Sequence, residues 1–100
     1  MKQVVVVYGT PADTQAFERH YREVHVPLVK QMPNLAKFEA SITSTATAPE
    51  DWHAIAVLSF RNQEEMDASL SSLAGVAAVE DVSNFASGGC QIYTCEFESF

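Results

Sequence analysis

The chain predicts an α+β fold with element order β-α-β-β-α-β, the ferredoxin-like split βαβ arrangement. Three observations predict it. Apolar or alternating runs at 3–8, about 35–45, 52–60 and 90–97 read as four strands. Two stretches of helical spacing fall between them where that order needs helices. Finally, two helices cover only one face of a four-stranded sheet, yet strands one and three are apolar on both faces. A second copy stacked sheet to sheet is the simplest cover, so a homodimer through facing sheets is expected.

Residues 3–8, Gln-Val-Val-Val-Val-Tyr, form a β-branched run suited to a strand buried on both sides. Gly9-Thr10-Pro11 breaks it, and Asp13 can cap the helix that follows. In that helix Phe17, Tyr21, Val24 and Leu28 form an apolar stripe. Pro27 lacks an N–H and disfavours helical geometry at Val26, so the helix is expected to stop at about His25. From about Leu35 to Thr45, Phe38, Ala40 and Ile42 alternate with Lys37, Glu39, Ser41 and Thr43, a strand with one wet face. A loop over 45–51 leads to strand three, Trp52–Phe60. Its Ala54 and Ala56, flanked by large residues, leave room for close helix approach or for a ligand. Asn62 with Glu65 starts a second helix through about residue 73; Gly75 interrupts, and Val76, Val79 and Val82 suggest a further short helical segment. Residues 84–89 read as loop and Cys90–Phe97 as strand four, with Ile92 and Thr94 facing one way and Tyr93 and Phe97 the other.

One hundred residues make a single domain, 1–100. No apolar run approaches the ~20 residues of a membrane span, no secretory leader is visible, and a cytoplasmic location is the default. The net charge of -7, from 13 acids against 6 bases, repels phosphate backbones and argues against nucleic acid as a partner. Cys90 and Cys95, five apart in one strand, would stand ~16 Å apart on opposite faces at ~3.3 Å per residue, so both are expected as free thiols. No metal-ligand spacing, phosphate-binding glycine loop or nucleophile elbow occurs, so neither a metal nor a cofactor is expected.

The candidate chemistry centres on His25, at the foot of the helical stripe. An imidazole suits proton transfer near neutrality; the alternative is a structural histidine bonded to the last helical carbonyls. His20 lies five residues earlier, about 140° around a regular helix, and reads as solvated. Tyr21 belongs to the stripe, its hydroxyl available to a pocket. Tyr8, at the end of strand one, and Tyr93, in strand four, can offer phenols to a polar ligand. His53 in strand three can point into the dimer-facing layer or into a pocket, and Trp52 in the same strand is a further substrate-binding candidate.

The pattern Phe17…His20-Tyr21…His25-x-Pro27-Leu28 after an apolar strand resembles the EthD family of dimeric α+β barrel proteins. Trp52–Phe60 is similar to that family's third strand, and Val82-x-Asn84-Phe85 to its segment before strand four. The resemblance implies a ferredoxin-like protomer, a homodimer with facing sheets, and a pocket between helices and sheet in each protomer. Related small barrels include cofactor-free polyketide cyclases, decarboxylases, muconolactone isomerases and quinone-forming monooxygenases. No Asn-Trp-His set of the kind used by haem-degrading relatives accompanies Trp52. The function this implies is a cofactor-independent enzyme acting on an apolar oxygenated, cyclic or aromatic small molecule. His25 would move the proton, and Tyr8, Tyr21, Trp52, His53 or Tyr93 would orient the substrate. A lyase, isomerase, cyclase or oxygenase reaction fits equally. The alternative is a non-catalytic protein that sequesters or delivers a hydrophobic metabolite.

Overall fold

A computed structural model describes residues 1–42 and 52–100. The loop expected at 45–51, and the end of the strand expected to reach Thr45, lie outside the described residues. The elements are β1 (Lys2–Tyr8), α1 (Thr14–His20), a π-helical turn (Tyr21–His25), α2 (Val26–Lys30), β2 (Lys37–Ser41) and β3 (Ala54–Phe60). There follow α3 (Gln63–Ser71), α4 (Leu73–Asp81), a short 3-10 turn (Val82–Asn84) and β4 (Cys90–Glu96). The strands form one antiparallel sheet in the order β2-β3-β1-β4, as a ferredoxin-like α+β fold requires.

Strand alternation sorts the side chains onto two faces. Toward the helices, the register sets Phe38, Leu58, Val4 and Thr94 in one row across the sheet and Ala40, Ala56, Val6 and Ile92 in the next. On the opposite face Glu39, Val57, Val5 and Tyr93 share a row, and Ser41, Ile55, Val7 and Gln91 share another. Val5, Val7, Ile55 and Val57 are half-buried, and among the described residues no helix lies over them.

The first helix departs from the sequence expectation. It does not stop at His25 but runs through Pro27 to Lys30, and Val26 keeps right-handed helical dihedrals (φ -56, ψ -47). The turn over Tyr21–His25 explains how. The Val26 N–H donates to the Tyr21 carbonyl, five residues back instead of four. In a regular helix the Pro27 ring would strike the Glu23 carbonyl and leave it unbonded. One extra residue in the turn absorbs that conflict without ending the helix.

The wider turn also resets the buried stripe. Phe17, Tyr21, His25 and Val29 are buried, whereas Val24 is 40% exposed and Leu28 only partly buried. His25 thus takes the core position that a 3.6-residue period assigned to Val24.

The second helical region breaks at Ser72, not at Gly75. Ser72 is extended (φ -69, ψ 163), and its Oγ caps α4 by accepting from the Gly75 N–H at 3.0 Å. Gly75 sits in the first turn of α4 against the Ser69 and Leu70 carbonyls, where a Cβ would not fit. α1 and α3 begin as expected, Asp13 accepting from Gln15 and Ala16, and Asn62 from Glu65. Cys90 and Cys95 are both free thiols.

Candidate functional site

Between the helices and the sheet lies a cavity of about 290 Å³. Val4, Val6, Ala56, Leu58 and Ile92 supply the sheet side, and α4 and the π-turn close it from above. Ala56, in β3, is one of the two small residues that the sequence marks as leaving room; the space beside it is cavity and not helix. Residues that carry a polar side-chain atom are few along this wall: Tyr8, Tyr21, His25 and Thr94. Val79 (52% exposed) and Ile92 (54% exposed) flank the opening between α4 and β4.

His25 is 4% exposed, and its ring is held from behind. Its Nδ1–H donates to Asp81 Oδ2 at 3.0 Å. Because the ring lines the cavity, Nε2 is the nitrogen left to meet a bound molecule. Asp81, 6% exposed at the end of α4, accepts from two further side chains. The His20 Nε2–H lies 2.9 Å from Oδ1 and 3.1 Å from Oδ2, and the Asn84 amide donates to Oδ1 at 3.1 Å.

A carboxylate at a helix C-terminus meets the negative end of the macrodipole, and burial also raises its pKa. The hydrogen bonds from Asn84, His20 and His25 more than offset this and hold Asp81 below the usual carboxylate range, so it is ionised at neutral pH. For His25, burial is the largest influence and pulls its pKa below 6.5, partly opposed by Asp81. The resting arrangement is therefore a neutral imidazole with its proton on Nδ1 and an ionised carboxylate behind it, in a side chain that lines an apolar space.

His20 is not simply solvated, as the sequence suggests. In a regular helix it would stand far around the axis from His25. The π-turn, at one more residue per turn, brings both rings to the same carboxylate. Phe85 packs on both, with ring centroids 5.3 Å from His20 and 4.8 Å from His25. It also touches the rings of Tyr8, Phe17 and Tyr21, so one side chain braces the whole cluster.

Burial pushes both tyrosines up, Tyr8 the further and Tyr21 to about 12, so both phenols stay protonated as donors. The Tyr21 hydroxyl is buried and makes no hydrogen bond; it lies near Tyr8 without bonding geometry. A buried donor without a partner is costly, and an oxygen atom in the cavity would relieve that cost.

Of the residues singled out from sequence, Tyr8, Tyr21 and His25 come together on this wall. Trp52, His53 and Tyr93 do not line it. Trp52 is half-buried just before β3. His53 stacks edge-on against Phe17 at 5.0 Å, its buried Nε2 without a partner. Tyr93 stands on the outer sheet face, its hydroxyl donating to Gln91 at 2.6 Å. Asp81 was missed. Its signal is an acid at the end of Leu-Ala-Gly-Val-Ala-Ala-Val-Glu-Asp, on the same helical face as Ala74 and Ala78, where a core residue is due. Among the described residues no group of His, Cys, Asp and Glu is arranged to hold a metal ion. Nor is any helix there long and apolar enough to cross a membrane.

Fold and site together define a small ferredoxin-like protein with a histidine–carboxylate couple at the edge of an apolar cavity. Residues 10–89 match the EthD domain, and the chain belongs to the EthD family. It is 41% identical over 90 residues to an uncharacterized 11.0 kDa protein in the thcB-thcC intergenic region of Rhodococcus erythropolis, covering 89% of this chain and 87% of that one. In solved structures the fold is similar to that of an EthD family protein from Bacillus halodurans, at a TM-score of 0.89 and 22% identity, over 98% of this chain and 99% of that one. It is also similar to a dimeric ferredoxin-like protein from Thermobifida fusca, at a TM-score of 0.76 and 9% identity, over 96% and 90% of the two chains. SnoaB, a cofactor-independent oxygenase from Streptomyces nogalater, matches at a TM-score of 0.73 and 7% identity, over 99% and 94%. At these identities the structural likenesses show the fold alone.

Proposed function

We propose that this chain is a small cofactor-independent enzyme. It binds an apolar, oxygenated ring compound in the cavity and removes or shuttles a proton through His25 Nε2. The observation that carries this reading is the His25–Asp81 couple, set in a wall that is otherwise almost wholly apolar. An apolar cavity of about 150 Å³ admits benzene, so about 290 Å³ suits two fused rings. Tyr8 and Tyr21, kept protonated, would donate to the substrate's oxygen as charge gathers there, while the apolar wall excludes water. Trp52, His53 and Tyr93 have no part in this reading. The likeness in fold to a cofactor-independent oxygenase is compatible with this reading and does not choose the reaction.

The test is a panel of naphthol-, quinone- and lactone-type compounds assayed for both binding and turnover, on wild type and on Ala56→Phe. Ala56 is 1% exposed on the cavity floor, so a phenyl ring there should abolish both binding and turnover while the melting transition stays cooperative. Turnover that survives in a folded Ala56→Phe would place the chemistry elsewhere. Binding without turnover across the panel would favour the accessory role. That second reading has its own support, because so apolar a wall can hold a ligand with no help from His25.

The reading includes a homodimer through the outer sheet face. Val5, Val7, Ile55 and Val57 form an apolar strip that none of the described helices covers, and dimeric proteins of similar fold support the pairing of two chains. Sedimentation equilibrium at low micromolar concentration should give twice the 11.0 kDa of one chain. Val57→Asp, which buries a charge in that strip, should shift the protein to monomer. A wild-type protein sedimenting as a folded monomer would rule the dimer out.

A further inference from the structure

We infer that His20 sets the proton affinity of His25 through the carboxylate the two share, acting on the cavity's base from outside the cavity. Asp81 carries one negative charge and receives an imidazole at each end, His20 at 2.9 Å and His25 at 3.0 Å. The two histidines face different surroundings. The His25 side chain is 5% exposed and belongs to the apolar cavity. The His20 side chain is 27% exposed and borders a separate cleft of about 300 Å³, together with Asp13, Ser83, Asn84 and Ser87.

Solvent reaches His20 through that cleft, whereas His25 lies among apolar side chains. Where His20 carries a proton, the Asp81 charge is matched. A proton on His25 then meets a neutralised partner and a nearby cation. The two sites are coupled and the coupling is reciprocal. Its consequence is that a proton on His20 weakens the hold of His25 on its own. The other groups facing the cluster do not supply this charge. Tyr8 from β1 and Tyr21 from the π-turn stay neutral, and the Asn84 amide is uncharged. Asp13 of α1 lies across the outer cleft and caps its own helix. Cys90 of β4 acts on Tyr8.

The catalytic meaning of this coupling rests on the proposed proton-transfer role of His25; the coupling itself does not, and it can be read in the free protein. Side-chain NMR titration of wild type should show a His25 curve distorted where His20 titrates. His20→Gln keeps a donor near the Nε2 position but cannot become charged, so the His25 titration should move to higher pH. His20→Lys presents a permanent cation to Asp81, so the His25 titration should stay low and lose its dependence on a second group. Opposite outcomes for the two variants support the inference. The same shift in both, or no shift in His20→Gln, overturns it, as does a wild type in which His20 and His25 titrate independently. A found substrate adds one further readout. The acid limb of activity should then move to higher pH in His20→Gln, and a failure of that arm alone would count against the role of His25 and not against the coupling.

Discussion

His25→Asn should lower turnover of a substrate, once found, by about 100-fold or more, the usual contribution of general acid–base catalysis. Stability should change by no more than about 1 kcal/mol, the net value of one hydrogen bond. Two features make this separation sharp. An asparagine amide falls near the position of Nδ1, so the bond to Asp81 can survive, whereas no atom replaces Nε2. The side chain also borders an existing cavity, so trimming it enlarges a space without opening a new void in packed core.

The pH dependence follows from the same geometry. His25 titrates below 6.5 in the fold, so the base form persists into mild acid, and activity should fall only as pH drops through that lowered value. Stability runs the same way. Between its folded pKa and 6.5 the unfolded chain binds the proton more readily, so acidification costs stability across that window. Asp81, held below 3.8, contributes stability that is present above 3.8 and lost as pH falls through its folded value. In His25→Asn the first of these slopes should vanish and the second remain. A variant that unfolds, but whose folded fraction keeps full activity, would end the catalytic reading.

Phe85→Ala should be the most destabilising single change in the cluster, by about 3–5 kcal/mol, as for other buried aromatics cut to alanine. The residue is 6% exposed and its ring lies within 5.5 Å, centroid to centroid, of Tyr8, Phe17, His20, Tyr21 and His25. Against a total stability of roughly 5–15 kcal/mol, such a loss lowers the melting temperature by at least about 10 °C. Thermal unfolding of the two proteins side by side checks it. A melting temperature within a few degrees of wild type would mean that the cluster repacks, and that Phe85 does not brace it.

Strand periodicity carried most of the fold. The sets Val4–Val6–Tyr8 and Ala54–Ala56–Leu58 sit on the helix-facing side, as alternation requires, and the opposite side remains the apolar strip that suggested a partner. The first helix was legible up to Tyr21 and misread after it, because the stripe was counted at 3.6 residues per turn. Pro27 did mark an irregularity, but a proline can be met by widening the preceding turn as well as by ending the helix. That choice depends on the surface beneath, which a sequence window does not contain. The same misreading hid His20, since its partnership exists only in the wider turn. Asp81 was hidden for another reason. Its importance lies in two side chains 61 and 56 residues away in sequence, and only the packing of α4 against the first helix joins them.

The Tyr21–His25 turn works as a phase offset between two stretches of helix. Thr14–His20 and Val26–Lys30 lie along one rod, and the extra residue shifts the sequence count between them. Removing one residue from the turn would let the Tyr21 carbonyl meet a partner four residues on, so both flanking stretches would keep their faces. The side chains inside the turn would be the ones to re-aim, His25 and its bond to Asp81 among them. The extra residue thus acts on the aim of one imidazole and leaves the placing of the helix as a whole alone.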